Sequence, residues 1–262
     1  MEPYLDIAKR LADQAGDIML QHFQVGVTNH LKPQEGNTPV TIADTTINKL
    51  VIEAIRKEYP THAVIGEEES FGQENAPYVW VCDPIDGTSP YVMGVPTNVF
   101  SIAMVDSKDG QPVVAVVHDP YMKRTYWATK NGGAFMNGQP IHVNAIDQMD
   151  QANIGGSGKR SNDIRTAEYR GAIVDACFRP LIYGSIIYEA MLVASGQIAA
   201  TVFPGFGCHD VVSAKLIVEE AGGKVTDVFG QDQRYDGTIK GAVISNGLLH
   251  EALVELALKY KK

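Results

Sequence analysis

The chain has 262 residues, 45% of them hydrophobic, enough to bury a sizeable core. Its 22 basic and 31 acidic residues give a formal charge of -9, which repels nucleic acid phosphates and argues against a polynucleotide partner. No apolar run is long enough to span a bilayer, and the opening Met1-Glu2-Pro3 lacks a charged-then-apolar signal pattern; cytoplasmic residence follows as the expectation.

The first segment carries Leu5, Ala8, Leu11, Ala12, Ala15, Ile18, Met19 and Phe23 at helical spacing, which predicts an amphipathic helix covering a sheet. Pro33, Gly36 and Pro39 then predict a loop over residues 32–38, whose Lys32 is open to two roles, approach to a substrate or a solvated charge. A second helix follows, with Asp44 at its start and Ile47, Leu50, Val51, Ala54 and Ile55 along one face. Ala63-Val64-Ile65 reads as a short strand ending at Gly66-Glu67-Glu68-Glu69. Tyr78 to Cys82, Asn98 to Val105, Val113 to His118 and Thr125 to Ala128 read as further strands, with turns at Asp109-Gly110 and Asn131-Gly132. This half predicts a sheet with helices on one side.

From about Ala152 short strands alternate with helices, the clearest being Ser185 to Ala194, Asp210 to Ala221 with its Gly222-Gly223 stop, and Leu248 to Lys259. No Pro- or Ser-rich spacer intervenes, so residues 1–150 and 151–262 are read as two halves of one globular unit. Cys82, Cys177 and Cys208 are odd in number and lack metal-knuckle spacing, which suits reduced thiols and, for Cys82 and Cys208, buried packing.

The segment richest in chemistry is Asp83-Pro84-Ile85-Asp86-Gly87-Thr88, at the end of an apolar strand. Pro84 fixes its own backbone and forces Asp83 away from helical geometry, so the two carboxylates can converge. Gly87 lets the backbone pass close to a ligand, Thr88 offers a hydroxyl to a water, and free N–H groups there favour a phosphate oxygen. Taken singly, each acidic element has an ordinary role open to it: a solvated turn here, a charge run at Glu67 to Glu69, helix N-caps at Asp44 and Asp210. Their joint occurrence at strand ends and helix starts points instead to a cation site. Carboxylate oxygens select hard cations such as magnesium.

The ordered set resembles the inositol monophosphatase-like family of magnesium-dependent, lithium-sensitive phosphatases. The likeness rests on Gly66-Glu67-Glu68, the Asp83 to Thr88 turn, Gly132-Gly133-Ala134-Phe135-Met136-Asn137-Gly138-Gln139-Pro140-Ile141, Gly184-Ser185, and His209-Asp210 through Gly223. It implies an α/β (α+β) fold, a layered αβαβα sandwich of the sugar-phosphatase type, with Asp210 meeting Asp83 and Asp86 at the junction of the two halves. It implies two or three magnesium ions: the first on Glu67, Asp83 and the Ile85 carbonyl, the second on Asp83, Asp86 and Asp210, with Glu67 helping a third. Asp44 and Thr88 would orient and deprotonate the attacking water, Glu67 would share in catalysis, and Glu68 would stand behind these groups. The Gly87 and Thr88 N–H groups would cradle the phosphate, while Ser185 and the Gly184 backbone would contact the leaving group. A homodimer is also implied.

Three positions depart from the family's usual residues: Pro90 stands for Asn, His209 for Trp, and Phe203 for a Glu that binds sugar hydroxyls in inositol-hydrolysing members. Phe203 is thereby assigned to the alcohol side of the pocket, where it accepts no hydrogen bond. His209 is read as packed beside a helix start, with metal ligation as the other role open to it. Gly155 to Ser161 fails as a nucleotide-binding loop, because Asn153 stands where its first Gly belongs and Arg160 where Ser or Thr belongs. Lys159 and Arg160 are left as pocket-mouth or solvated charges. The expected activity is hydrolysis of a small anionic phosphate ester. Inositol 1-phosphate leads, and histidinol phosphate, fructose 1,6-bisphosphate and a 3'-phosphonucleotide stay open; an inactive metal-binding scaffold or regulatory module is the reading of another class.

Overall fold

A computed structural model of the chain describes residues 1–24, 26–27, 29–32, 38–73, 75–156, 163–205 and 207–262; the expectations for the loop at 33–37 and for Lys159 and Arg160 lie outside them. Helix α1 (Glu2–His22) is followed by the antiparallel pair β1 (Asn29–Lys32) and β2 (Thr38–Thr41), then α2 (Ile42–Glu58). Seven strands come next in chain order and lie in that order in one sheet: β3 (Ala63–Gly66), β4 (Tyr78–Asp86), β5 (Val99–Asp106), β6 (Gln111–Asp119), β7 (Arg124–Thr129), β8 (Ala134–Met136) and β9 (Gln139–Pro140). Within this sheet, among the described residues, only the β3–β4 pairing is parallel. A short helix, α3 (Thr88–Met93), follows β4.

The second half supplies β10 (Asn153–Gly156), α4 (Thr166–Ala176), β11 (Arg179–Leu181), α5 (Ile186–Ala194), β12 (Ala200–Phe203), α6 (Val212–Glu220), β13 (Lys224–Thr226), β14 (Ala242–Ser245) and α7 (His250–Lys259). Its five strands form one sheet in the order β11-β10-β12-β14-β13.

Three buried clusters define five layers. Ile7, Leu11 and Met19 of α1 with Ile47 and Val51 of α2 pack on Trp80, Cys82, Phe100, Ile102, Val114 and Val116, one face of the seven-stranded sheet. Its other face, with Val79, Val81, Ala103, Val105, Ala115 and Val117, meets α5 and α6, which also touch Phe203 and Ile244 of the smaller sheet. The far side of that sheet, through Ile154, Val202 and Val243, is covered by Tyr169 of α4 and Leu253 and Ala257 of α7. This is the αβαβα sandwich. It corrects the expectation of helices on one side only: runs such as Val113 to Val117 are continuously apolar because alternate side chains enter different cores on the two faces. Helix α5, apolar almost all round, lies between two sheets.

Two element boundaries differ from the sequence expectation for reasons that bear on the site. Strand β4 runs on through Asp86 instead of ending at Cys82, with a register shift between Asp83 and Asp86. Pro84 has no N–H to offer, and the N–H of Ile85 turns to Asp83 Oδ1 at 3.1 Å, so the ladder breaks and resumes at Asp86. Helix α6 starts at Val212, not Asp210: the N–H groups of Val211 and Val212 both bond Cys208 O, and the resulting tight turn carries His209 and Asp210. Cys82 and Cys208 are buried with unbonded thiols, and burial holds the Cys208 pKa up to about 12, in keeping with packing roles. Among the described residues, no helix is long and apolar enough to cross a membrane.

One buried histidine couples this fold to pH. His250, at the start of α7, pairs Nδ1 with Ser245 Oγ and Nε2 with Thr226 Oγ1, each at 2.9 Å, tying the helix to β14 and β13. Burial, and then the charge of Lys224, lower its pKa to about 4 from an ordinary 6.5. Between those values the unfolded chain takes up a proton that the folded chain refuses, so stability falls as pH drops through this window. Urea unfolding should show the protein losing about 2 kcal/mol through this group between pH 7 and pH 5. His250→Gln should flatten that dependence; an unchanged slope would remove His250 as its source.

Candidate active site

The site is built where β3 and β4 end, α2 and α5 begin, and the turn before α6 closes. Asp44 is the third residue of α2, whose N-cap is Thr41, so its carboxylate turns back on the cap in a capping box. Its Oδ2 accepts from the Thr41 N–H at 2.7 Å and the Thr41 hydroxyl at 2.6 Å, leaving Oδ1 to face Thr88 Oγ1 at 3.3 Å. Burial is the largest influence on Asp44 and raises its pKa to about 6, against the opposing hydrogen bonds of Thr41. The Thr88 hydroxyl also lies 3.0 Å from the Ile85 carbonyl, which therefore holds the hydroxyl side of the turn.

Glu67 is placed by its own N–H, which donates to Cys82 O at 3.2 Å and keeps the chain alongside β4 as β3 ends. Asn48, one helical turn after Asp44, pins the acidic turn: its amide donates to Glu69 O at 2.9 Å and its Oδ1 accepts from the Glu68 N–H at 3.3 Å. Lys32 of β1 reaches in with Nζ 3.2 Å from Glu67 Oε1 and 2.5 Å from Glu68 Oε1. It is thus a paired charge of the site, not a solvated one. Burial raises the Glu68 pKa to about 7, with the Lys32 hydrogen bond pulling the other way.

Asp83, Asp86 and Asp210 are all buried, at 2%, 5% and 4% exposure, so three like charges share a region that water scarcely reaches. One ligand oxygen from each lies within 4.8 Å of the others, and a second trio, Glu67, Asp83 and His209, meets the same limit. Asp83 belongs to both. These carboxylates converge from three places, β4, the turn after β3 and the turn before α6, and a cluster of oxygens of this kind could hold a hard divalent ion.

The structure reassigns Ser185. Its hydroxyl donates to Asp86 Oδ2, the same oxygen accepts from the Ile187 N–H at 2.6 Å, and Ser185 caps α5 by accepting from the Tyr188 N–H at 3.1 Å. Ser185 therefore orients a carboxylate of the cluster instead of presenting its hydroxyl to a leaving group. Gly87, at φ 91°, makes this approach feasible: a Cβ there would lie 2.8 Å from the Ser185 Cβ. Gly184 sits at φ 81°, where a Cβ would meet Pro90 at 3.2 Å. Phe203 is also corrected. Its side chain is fully buried in the core between the sheets, so it is not a wall of an open pocket.

Two contributors went unrecognised in the sequence. Asn48 is one. Glu189, one turn after Ser185, is the other: it is 1% exposed and accepts from the Tyr183 N–H at 2.9 Å and Thr201 Oγ1 at 2.6 Å. It fixes the loop that delivers Ser185, and burial raises its pKa.

Comparison with known proteins adds identity to this geometry. A model of the inositol monophosphatase family matches residues 1–262. A fructose-1,6-bisphosphatase/inositol-1-monophosphatase of Thermotoga maritima is 29% identical, covering 96% of this chain and 94% of its own. A histidinol-phosphatase of Streptomyces coelicolor is 31% identical, covering 97% of each. Among solved structures, the IMPase of Thermotoga maritima superposes with a TM-score of 0.86 at 28% identity, covering 98% of this chain and 97% of that one.

Proposed function

The chain belongs to the inositol monophosphatase family of metal-dependent phosphoric monoester hydrolases, and from that premise we propose that it hydrolyses a small anionic metabolite phosphate, with inositol 1-phosphate as the leading substrate. The observation that carries this reading is the pair of ligand trios sharing Asp83 beside the Asp44–Thr88 contact. Glu67, Asp83, Asp86 and Asp210 would hold two magnesium ions, with a third as an addition at Glu67. Bound magnesium neutralises the phosphate and supports the charge that develops on the leaving alkoxide.

The chain's own groups do the rest. Thr88 Oγ accepts a hydrogen bond from the attacking water while its proton points to Asp44 Oδ1. As the water attacks phosphorus and the bond from phosphorus to the ester oxygen breaks, the water's proton passes through Thr88 to Asp44, whose raised pKa near 6 suits a base working close to neutrality, and the departing alkoxide takes a proton from solvent to leave as the alcohol. The Gly87 and Thr88 N–H groups face the phosphate oxygens. Ser185 and the start of α5 hold Asp86 in place, a positioning role. With Phe203 in the core, choice among alcohols falls to other residues. The same reading carries lithium sensitivity, a homodimer and a cytoplasmic setting.

Phosphate release from inositol 1-phosphate, histidinol phosphate, fructose 1,6-bisphosphate and a 3'-phosphonucleotide tests it, each with magnesium and again with chelator. Inositol 1-phosphate should give the highest kcat/KM, and chelator should abolish every activity. A higher value for another ester would replace the substrate and keep the class. No release from any ester would favour the inactive scaffold.

A further inference from the structure

Among the described residues, His209 is the one imidazole in the two ligand trios, and every other member is a carboxylate. Imidazole presents a nitrogen lone pair and is a common ligand for first-row divalent metals. The question is where the ring points.

It points into the cluster. The turn closed by the Val211 and Val212 N–H groups on Cys208 O projects His209 and Asp210 together from the head of α6. Asp210 joins Asp83 and Asp86, while a ring nitrogen of His209 joins Glu67 and Asp83, so consecutive residues serve the two overlapping trios. The loop before this turn packs against the same ring. A Cβ on Gly207 would lie 2.8 Å from Cε1 and 2.9 Å from Nε2 of His209, and 2.6 Å from Asp210 Oδ2, so the backbone there passes hard against both side chains. Nε2 stands 3.6 Å from Asp210 Oδ2, beyond a good hydrogen bond, so this pairing does not consume the nitrogen. The ligand atoms of Glu67, Asp83 and His209 lie within 4.8 Å of one another, so modest side-chain rotations would bring all three to bonding distance of one cation.

We propose that His209 supplies a nitrogen ligand to the cation held by Glu67 and Asp83, making this a mixed nitrogen and oxygen site that favours Mn2+ over Mg2+. The inference rests on the metal centre of the proposed phosphatase and goes beyond it in ligand and in metal preference. Oxygen-only sites suit Mg2+, which binds imidazole poorly, whereas Mn2+, though also content with oxygen ligands, is a first-row ion that tolerates an imidazole among them better than Mg2+ does. The other site, on Asp83, Asp86 and Asp210, keeps an all-oxygen donor set.

The test reads the bound metal directly on the whole chain. Mn2+ is titrated in and followed by electron paramagnetic resonance, and the bound ion is examined by electron spin echo envelope modulation for coupling to 14N. The wild-type protein should show that coupling, and His209→Gln should lose it. The same variant should weaken Mn2+ binding on the order of tenfold while changing Mg2+ binding about twofold or less, because Mg2+ gains little from an imidazole and so has little to lose. If Gln disturbs folding, as judged by circular dichroism, His209→Trp, which keeps an aromatic ring but offers no nitrogen lone pair, should show the same loss of coupling. Mn2+ bound without 14N coupling, or coupling that survives both substitutions, overturns the His209 assignment and leaves the carboxylate centre standing. No Mn2+ binding at all overturns both this inference and the metal centre beneath it.

Discussion

Asp83→Asn should lower kcat by about three orders of magnitude, equivalent to ~4 kcal/mol of transition-state stabilisation, while leaving the fold in place. The effect should exceed that of any other single carboxylate in the cluster, because Asp83 alone belongs to both ligand trios. Losing Asp86 or Asp210 impairs one trio; losing Asp83 impairs both. The amide keeps an oxygen where Asp83 Oδ1 now accepts the Ile85 N–H at 3.1 Å, so the bulge in β4 and the turn that follows should persist. In the metal-free chain the substitution also removes one of three buried like charges, so thermal stability without magnesium should be unchanged or slightly raised. Calorimetric titration with magnesium, turnover with substrate and circular dichroism check the three statements separately. Unchanged turnover would dismantle the site as assigned. Lost turnover with lost structure would instead make Asp83 a folding residue.

How far this site can be read from the sequence depends on how local its parts are. Asp83, Asp86, Gly87 and Thr88 fall within six residues, and the turn-forming residues that bring them together are themselves in the segment, so both the cluster and its chemistry were legible there. Asp210 was legible as a site residue but misleading as a helix start, since a carboxylate before an apolar helical run has the composition of an N-cap while this one is turned toward Asp83 and Asp86. Ser185 could not be placed correctly without tertiary structure: its partner Asp86 lies 99 positions away, and a Gly-Ser at a helix start offers its hydroxyl equally to a ligand or to a neighbour. The second cover on the large sheet was hidden for the same reason. The strands were found from their apolar runs, but α5 and α6, which bury the second face, arrive from the other half of the chain. Asn48 and Glu189 did leave a local signal. Each lies four residues after a residue already singled out, Asp44 and Ser185, and so on the same helical face, and each is a polar side chain among apolar neighbours.

Thr88→Ala should separate chemistry from binding. Its hydroxyl lies between the Asp44 carboxylate and the Ile85 carbonyl, at 3.3 and 3.0 Å, and belongs to neither ligand trio, so its removal should leave magnesium affinity within about twofold of the wild type. The phosphate contacts assigned to this turn come from backbone N–H groups, which alanine retains, so KM should also move by no more than about threefold. What alanine cannot do is pass a proton from water to Asp44. General-base assistance contributes roughly 10²–10⁴-fold, and kcat should fall by an amount in that range. Asp44→Asn should show a fall of similar size for the same reason, with the added cost of a weakened capping box at Thr41. If the two groups form one relay, the double variant should be little slower than either single one, because the second substitution removes a path the first has already broken. Steady-state kinetics of the three variants at saturating magnesium would decide it. Multiplicative losses would mean that Thr88 and Asp44 act independently, and a rise in KM with kcat unchanged would make Thr88 a phosphate ligand, with the water activated elsewhere.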